Sequence, residues 1–177
     1  SMKANILTAA LPYIQKYAGK IVVIKYGGNA MTNDELKQDV MSDIILLNQV
    51  GIKVVLVHGG GPEITGTMQA MGIESKFING LRYTSEEAVK VVQMVLCGKT
   101  NKDLVKLICK SGGRAIGLCG LDGAMISTKK LEGQDDLGFV GDITAIDPTP
   151  ILDIMNAGYI PVIAAVGVDD SGQVYNI

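Results

Sequence analysis

The sequence has no tryptophan, one histidine and three cysteines, and aromatic residues make up only 5% of it. Each scarcity excludes something. Three cysteines without a repeated spacing make no disulfide framework, and this usage fits the reducing cytoplasm, where the protein is expected. One histidine and scattered cysteines supply no ligand set for a structural zinc. Every apolar stretch is soon interrupted by Lys, Asp or Gly, so none reads as a bilayer span. Excess charge of one sign is lacking too. Sixteen basic residues against 18 acidic ones leave a net charge of −2, which argues against nucleic-acid or membrane-surface partners. What remains is a 177-residue chain that is 47% hydrophobic, enough for one domain with a sizeable core. Glycine is the surplus: 22 of 177, about 12% where roughly 7% is usual.

Ser1 precedes a natural Met2 start and reads as a cloning remnant. Residues 3–20 predict a helix, with Ile6, Leu7, Ala10, Leu11, Ile14 and Tyr17 at helical spacing and a kink at Pro12. Buried strands are expected at 21–26, 53–57, 114–118 and 160–166, with helices between them. Thr32 with Glu35, and Thr84 with Glu87, have the spacing of capping boxes. Gly51, Gly72, Gly112 and Gly158 read as helix stops. One helix is expected from Thr84 to about Leu96 and a separate one from Thr100 to Lys110. A connection of about ten residues containing Phe77, Asn79-Gly80 and Arg82 leads into the first of these. Asp147 and Pro148 open a late helix, and 173–175 is a last short strand. Residues 124–139 read as an antiparallel hairpin excursion with a polar tip at 131–138. The alternation predicts an α/β fold: a three-layer α/β/α sandwich around a mainly parallel open sheet covered on both faces.

The chemistry concentrates in two glycine-rich turns, Lys25-Tyr26-Gly27-Gly28-Asn29 and His58-Gly59-Gly60-Gly61-Pro62. Each follows a predicted strand and so lies at the carboxyl edge of the sheet, where open α/β sheets bind ligands. Glycine there permits tight turns, and it also lets backbone N–H groups converge on an anion. The Gly61-Pro62 helix start adds a positive dipole end, and Lys25 adds a cation. Neither turn has the spacing of a P-loop or of a GxGxxG dinucleotide site, and no Ser occupies a GxSxG elbow. Arg82 could hold a carboxylate bidentately, although alone it reads as a surface residue. His58 reads as a backbone-bonded structural histidine. Cys97, Cys109 and Cys119 read as core, the methionines as filler, and Asp122 as part of a turn.

These segments closely resemble the acetylglutamate kinases, a branch of the amino acid kinase family. The matching residues are Lys25-Tyr-Gly-Gly-Asn-Ala-Met, Val57-His-Gly-Gly-Gly-Pro, Asn79-Gly-Leu-Arg-Tyr-Thr, Gly120-Leu-Asp-Gly, Gly138-Phe-Val-Gly-Asp and Gly158-Tyr-Ile-Pro-Val-Ile, in the same order. The resemblance implies transfer of the γ-phosphoryl of ATP to the side-chain carboxylate of N-acetyl-L-glutamate, in arginine biosynthesis. It implies that Lys25 and Gly28 are catalytic, and that Lys25, Gly27, Gly28 and Gly60 contact the transferring phosphoryl. Gly60, Gly61, Arg82 and Asn176 would contact acetylglutamate. Family members are longer and carry an ATP-binding lobe with a second catalytic Lys, which this chain lacks. The resemblance therefore divides it into an N-terminal helix, 1–20, and an acetylglutamate-binding lobe, 21–177, inactive alone. ATP and Mg2+ belong to the full-length enzyme, and none is expected bound tightly here. The segment Leu11-Pro-Tyr-Ile-Gln resembles the extension of arginine-inhibited members, whose helices interlace dimers into a hexamer; the resemblance thus implies a homo-oligomer, and brings in arginine feedback and a nitrogen-signalling protein as a candidate partner. Two alternatives stay open: a stand-alone module binding acetylglutamate or another small anion, and another amino acid kinase.

Overall fold

The computed structural model describes residues 2–177; Ser1, read as a cloning remnant, lies outside them. The framework is a four-stranded parallel sheet in the order β1-β2-β8-β5, formed by β1 (Ile21–Tyr26), β2 (Lys53–His58), β5 (Ala115–Cys119) and β8 (Ile160–Ala164). Apolar β-branched runs favour these positions because both faces of the inner strands are covered. Every residue of β8 is buried. On one face, α2 (Asp34–Gln49) and α5 (Asn101–Lys110) contribute Met41, Ile44, Leu104 and Ile108 against Val54, Leu56 and Val162. On the other, Met155 of α6 (Thr149–Asn156) joins Val55, Ile163, Met125 and Ile126. The expected three-layer α/β/α arrangement is thus present. Among the described residues no helix is long and apolar enough to cross a membrane.

The expected antiparallel excursion is the pair β6 (Ile126–Lys130) and β7 (Gly141–Ile146). It belongs to a second four-stranded sheet, β10-β9-β6-β7, with β9 (Val166–Val168) and β10 (Val174–Asn176). The strand predicted for 160–166 therefore ends at Ala164, and Val166 starts a strand of the other sheet.

Several expectations need correction. The strand at 21–26 is covered on one face only, where Tyr26 is buried and Val22 and Ile24 pack against the core. It is an edge strand whose outer face carries Ile21, 49% exposed, and Val23, 62% exposed. The helix cap before α2 is Asn33 rather than Thr32: the Asn33 Oδ1 accepts from the Leu36 N–H at 2.9 Å. The cap expected at Thr84 is likewise one residue late. Ser85 Oγ accepts from the Ala88 N–H at 3.1 Å, opening α4 (Glu86–Gln93), because the Thr84 hydroxyl instead donates to the Arg82 carbonyl at 3.1 Å. The break expected between Leu96 and Thr100 is absent. A π-helical segment, Met94–Thr100, joins α4 to α5 and carries Gly98 without interruption. The connection before Thr84 contains a hairpin, β3 (Lys76–Ile78) paired antiparallel to β4 (Leu81–Tyr83). Asn79 and Gly80 turn it with φ of 50° and 82°, the two positive angles of a type I′ turn. Cys119 is buried as expected and Cys97 half-buried, but Cys109 is exposed. Its neighbour Ile108 takes the buried position on α5, and one residue further is a rotation of about 100° around a helix.

The helix at 3–20 is α1 (Met2–Tyr17), and it continues through Pro12. None of its residues is buried. Ile6, Leu7, Leu11 and Tyr13 are all exposed, and only Ala10 and Ile14 are half-buried, so most of the apolar face of α1 is uncovered. The Ser85 cap is directly testable. Ser85→Ala removes the acceptor for the Ala88 N–H and should cost about 1 kcal/mol, read as a lower urea midpoint with an unchanged slope.

Candidate functional site

Strands β1 and β2 run in register, with Tyr26 opposite His58. Their two glycine turns therefore leave the sheet side by side. The ladder extends one bond further, from the Gly59 N–H to the Tyr26 carbonyl at 3.2 Å. A Cβ placed on Gly27 would lie 3.9 Å from the Gly59 nitrogen. Beyond them the chain enters α3 (Gly61–Ala70), with Pro62 in its first turn as expected.

The carbonyls of this turn are all engaged. His58 O accepts from the Ala165 N–H at 3.2 Å, and Gly59 O lies 2.9 Å from His58 Nδ1. Gly60 O accepts from the Ile64 N–H at 2.9 Å. Gly61 O accepts from the Thr65 hydroxyl and from Arg82 Nη2, each at 3.0 Å. No hydrogen bond among the described residues uses the Gly60 or Gly61 N–H. The turn thus presents donors without competing acceptors at a helix N-terminus, the electrostatic form of an anion site. Gly60 also has no room for a side chain. A Cβ there would lie 2.6 Å from Leu96 Cδ2 and 3.2 Å from Thr100 Oγ1, both in the π-helical segment.

Arg82, expected at the surface if it stood alone, is only 7% exposed. Its guanidinium rests on the Phe77 ring at 4.7 Å, across the hairpin. Nη2 donates to Gly61 O and to Thr65 Oγ1 at 2.8 Å. Nη1 donates to Ser75 Oγ and touches Met68 Sδ at 3.7 Å. All of these partners are neutral, and no carboxylate among the described residues forms an ion pair with it. Burial lowers its pKa, yet a guanidinium stays charged. A desolvated cation without a counter-charge is a strong attractor for an anion.

Asn176 comes to the same region from the far end of the chain. Its Nδ2 donates to Thr84 Oγ1 at 3.3 Å, and Thr84 in turn bonds the Arg82 carbonyl. The strand-like run 137–140 bridges them. Phe139 N–H donates to Thr84 O at 2.7 Å, and Asn176 N–H donates to Phe139 O at 2.9 Å. Gly138 makes this crossing feasible: its φ is +70°, and a Cβ would stand 2.2 Å from the Thr84 carbonyl oxygen.

A family model described as the amino acid kinase family matches residues 20–177. The chain belongs to the amino acid kinase family. It is 58% identical to the acetylglutamate kinase of Brachyspira hyodysenteriae over 99% of this chain and 61% of that protein. It is 52% identical to the acetylglutamate kinase of Clostridium beijerinckii, over 99% and 62%. The crystal structure of smu.665 from Streptococcus mutans UA159 superposes with a TM-score of 0.80 at 32% identity, over 89% of this chain and 63% of that one. The chain thus spans about three fifths of the length of these relatives and corresponds to their N-terminal lobe.

In this amino acid kinase chain, Lys25 is less constrained than the glycines beside it. It lies on the outward face of β1 with Ile21 and Val23, and no ion pair or hydrogen bond among the described residues fixes its Nζ. Gly28 opens a short 3-10 turn, Gly28–Met31, with φ of +62°. Among the described residues no three His, Cys, Asp or Glu side chains cluster to hold a metal. Asp122 does form a turn, its Oδ2 accepting from the Cys119 N–H at 2.7 Å.

Sequence patterns missed the residues that support the site. Thr65 is one helical turn beyond Gly61, Ser75 lies in a loop, and Asn101 is buried beneath His58. The last had a signal, since an Asn in a helix interior beside apolar residues needs buried partners. His58 itself is structural as expected, 1% exposed, and its pKa is lowered by burial, with a smaller contribution from the charge of Lys102. It is the chain's sole histidine. A neutral imidazole in the fold takes up its proton at lower pH than in the unfolded chain, whose value is about 6.5. Stability should therefore be fully present above that pH and decline as pH falls below it. Urea midpoints between pH 7.5 and 5.5 should show this decline, and His58→Asn should flatten it.

Proposed function

We propose that this chain forms the acceptor-binding lobe of an acetylglutamate kinase, with residues 21–177 as the lobe and 1–20 as a separate helix. The observation that carries the reading is the turn 58–61. Its carbonyls are all engaged within the protein, its Gly60 and Gly61 N–H groups are not, and a buried cation without a counter-charge adjoins it. Acetylglutamate carries two carboxylates and suits such a site. In this reading Arg82 exchanges one of its neutral partners for the α-carboxylate, Asn176 joins it there, and Gly60 and Gly61 line the remainder.

The reaction would form a bond between a side-chain carboxylate oxygen and the γ-phosphorus, while the bond from that phosphorus to the ADP oxygen breaks. The products are an acyl phosphate and ADP. A carboxylate is already ionised at neutral pH, so no general base is required. What the reaction needs is alignment of two anions and neutralisation of charge on the transferring group. Backbone N–H groups of Gly27, Gly28 and Gly60 and the Lys25 ammonium suit that role, because donors held by the fold need no reorganisation during transfer. The exposed position of Lys25 leaves its Nζ able to swing towards a phosphoryl group. ATP and Mg2+ are assigned to the part of the relatives' length that this chain does not span. The uncovered apolar residues of α1 support self-association of the lobe through that helix.

Isothermal calorimetry with N-acetyl-L-glutamate tests the binding reading. The native chain should bind it, and Arg82→Ala should weaken binding at least about tenfold, equivalent to about 1.4 kcal/mol. No heat from a folded native chain would sink the proposal. L-Glutamate binding equally well would favour another amino acid kinase. Heat with inorganic phosphate and none with acetylglutamate would favour a general small-anion module. The same reading expects no acetylglutamate-dependent ADP release from the 177-residue chain alone, and a robust steady-state rate would overturn it.

A further inference from the structure

The role proposed for Gly60 requires its N–H to face the anion, yet a peptide between two glycines can adopt either orientation at little steric cost. Something outside the turn must fix it. We infer that His58 and Asn101 are positioning residues: Asn101 locks the imidazole as its Nδ1–H tautomer, and that N–H holds the Gly59 carbonyl so that the Gly60 N–H points to the anion. This inference rests on the anion-site reading above.

The proton positions follow from the partners. Asn101 Nδ2 lies 3.0 Å from the Val162 carbonyl oxygen, which only accepts, so that corner of the amide is the NH2 group. Lys102 Nζ, which only donates, lies 2.9 Å from Asn101 Oδ1 and fixes the other corner independently. The amide NH2 therefore also faces His58 Nε2, at 3.0 Å, with the Leu118 carbonyl oxygen a more distant third acceptor at 3.4 Å. Nε2 must then accept, and the proton of a neutral ring sits on Nδ1, which donates to Gly59 O at 2.9 Å. Burial keeps the ring neutral. The Gly59–Gly60 peptide is trans, so its C=O and N–H point in opposite directions. Holding the oxygen against the buried imidazole turns the Gly60 N–H away from it. The π-helical segment completes the device. It brings Leu96 and Thr100 against Gly60 and delivers Asn101 at the start of α5, in keeping with the frequent placement of π-helical turns at functional sites.

The sole histidine makes the test unambiguous. Long-range proton–nitrogen correlation spectra of the native chain between pH 6 and 8 should show a neutral Nδ1–H ring. An Nε2–H ring or an imidazolium there would overturn the inference with no variant or ligand involved. In Asn101→Ala the Nε2–H form should become detectable, and an unchanged ring would remove Asn101 from the device. Binding of N-acetyl-L-glutamate and of inorganic phosphate is then followed at the Gly60 amide signal. His58→Asn, which can place an N–H where Nδ1 was, should bind within about twofold of native. His58→Leu, which cannot, should lose about tenfold while its spectrum stays that of a folded chain. If native binds and His58→Leu binds as tightly with the Gly60 signal unmoved, this inference alone falls. If the native chain binds neither probe, the anion-site reading falls and this inference falls with it.

Discussion

Everything at the carboxyl edge of the parallel sheet depends on where four carbonyl oxygens point. A glycine-rich turn carries as many acceptors as donors, so by itself it repels an anion as readily as it attracts one. The turn 58–61 escapes that symmetry because each oxygen has a partner inside the protein: the Ala165 N–H just beyond β8, an imidazole, a helix N–H, and a hydroxyl with a guanidinium. Only donors are left over. The parallel sheet makes this possible by delivering β1 and β2 in register, so that the first turn already satisfies the Gly59 N–H through Tyr26.

Arg82 connects that backbone arrangement to the rest of the fold. It engages Gly61 O, and its own carbonyl anchors Thr84, which receives Asn176. One residue thus ties the first turn of α3 to the strand at the end of the chain. The cost is a buried charge surrounded by hydroxyls, a thioether and an aromatic face. Neutral partners satisfy the geometry of the guanidinium but leave its charge uncompensated. A carboxylate partner within the fold would have been more stable and would have compensated the charge in advance. The arrangement therefore leaves a charge that the described residues do not compensate.

The uncovered surfaces of β1 and α1 have a different character. The outward face of β1 and the whole of α1 expose Ile21, Val23, Ile6, Leu7, Leu11 and Tyr13. Single exposed apolar residues need no explanation, but a helix that buries none of its side chains gains little from packing. Its sixteen residues are long enough to be marginal in isolation. The apolar spacing of α1 thus stays largely uncovered, whereas the same spacing in α2 and α5 is buried against the sheet.

How far the residues alone could take this account varies with the kind of force involved. Long-period patterns survive into the fold, so the alternation of strands and helices and the two glycine turns were legible. Choices between adjacent residues were not. Thr32 and Thr84 each have the spacing of a cap, but a neighbour makes the bond, and at Thr84 the reason is a tertiary contact with Arg82 that no local rule contains. The edge position of β1 was hidden for a similar reason, since Ile and Val suit an exposed edge as well as a central strand. The break expected before Thr100 failed because a π-helical segment absorbs Gly98 without stopping the helix. His58 is the instructive case. Its surroundings mark it as structural, and so it is, buried and held by the backbone. Yet a residue that fixes one peptide plane beside a donor-lined turn governs what that turn can bind. Structural and functional are not alternatives where the functional groups belong to the backbone.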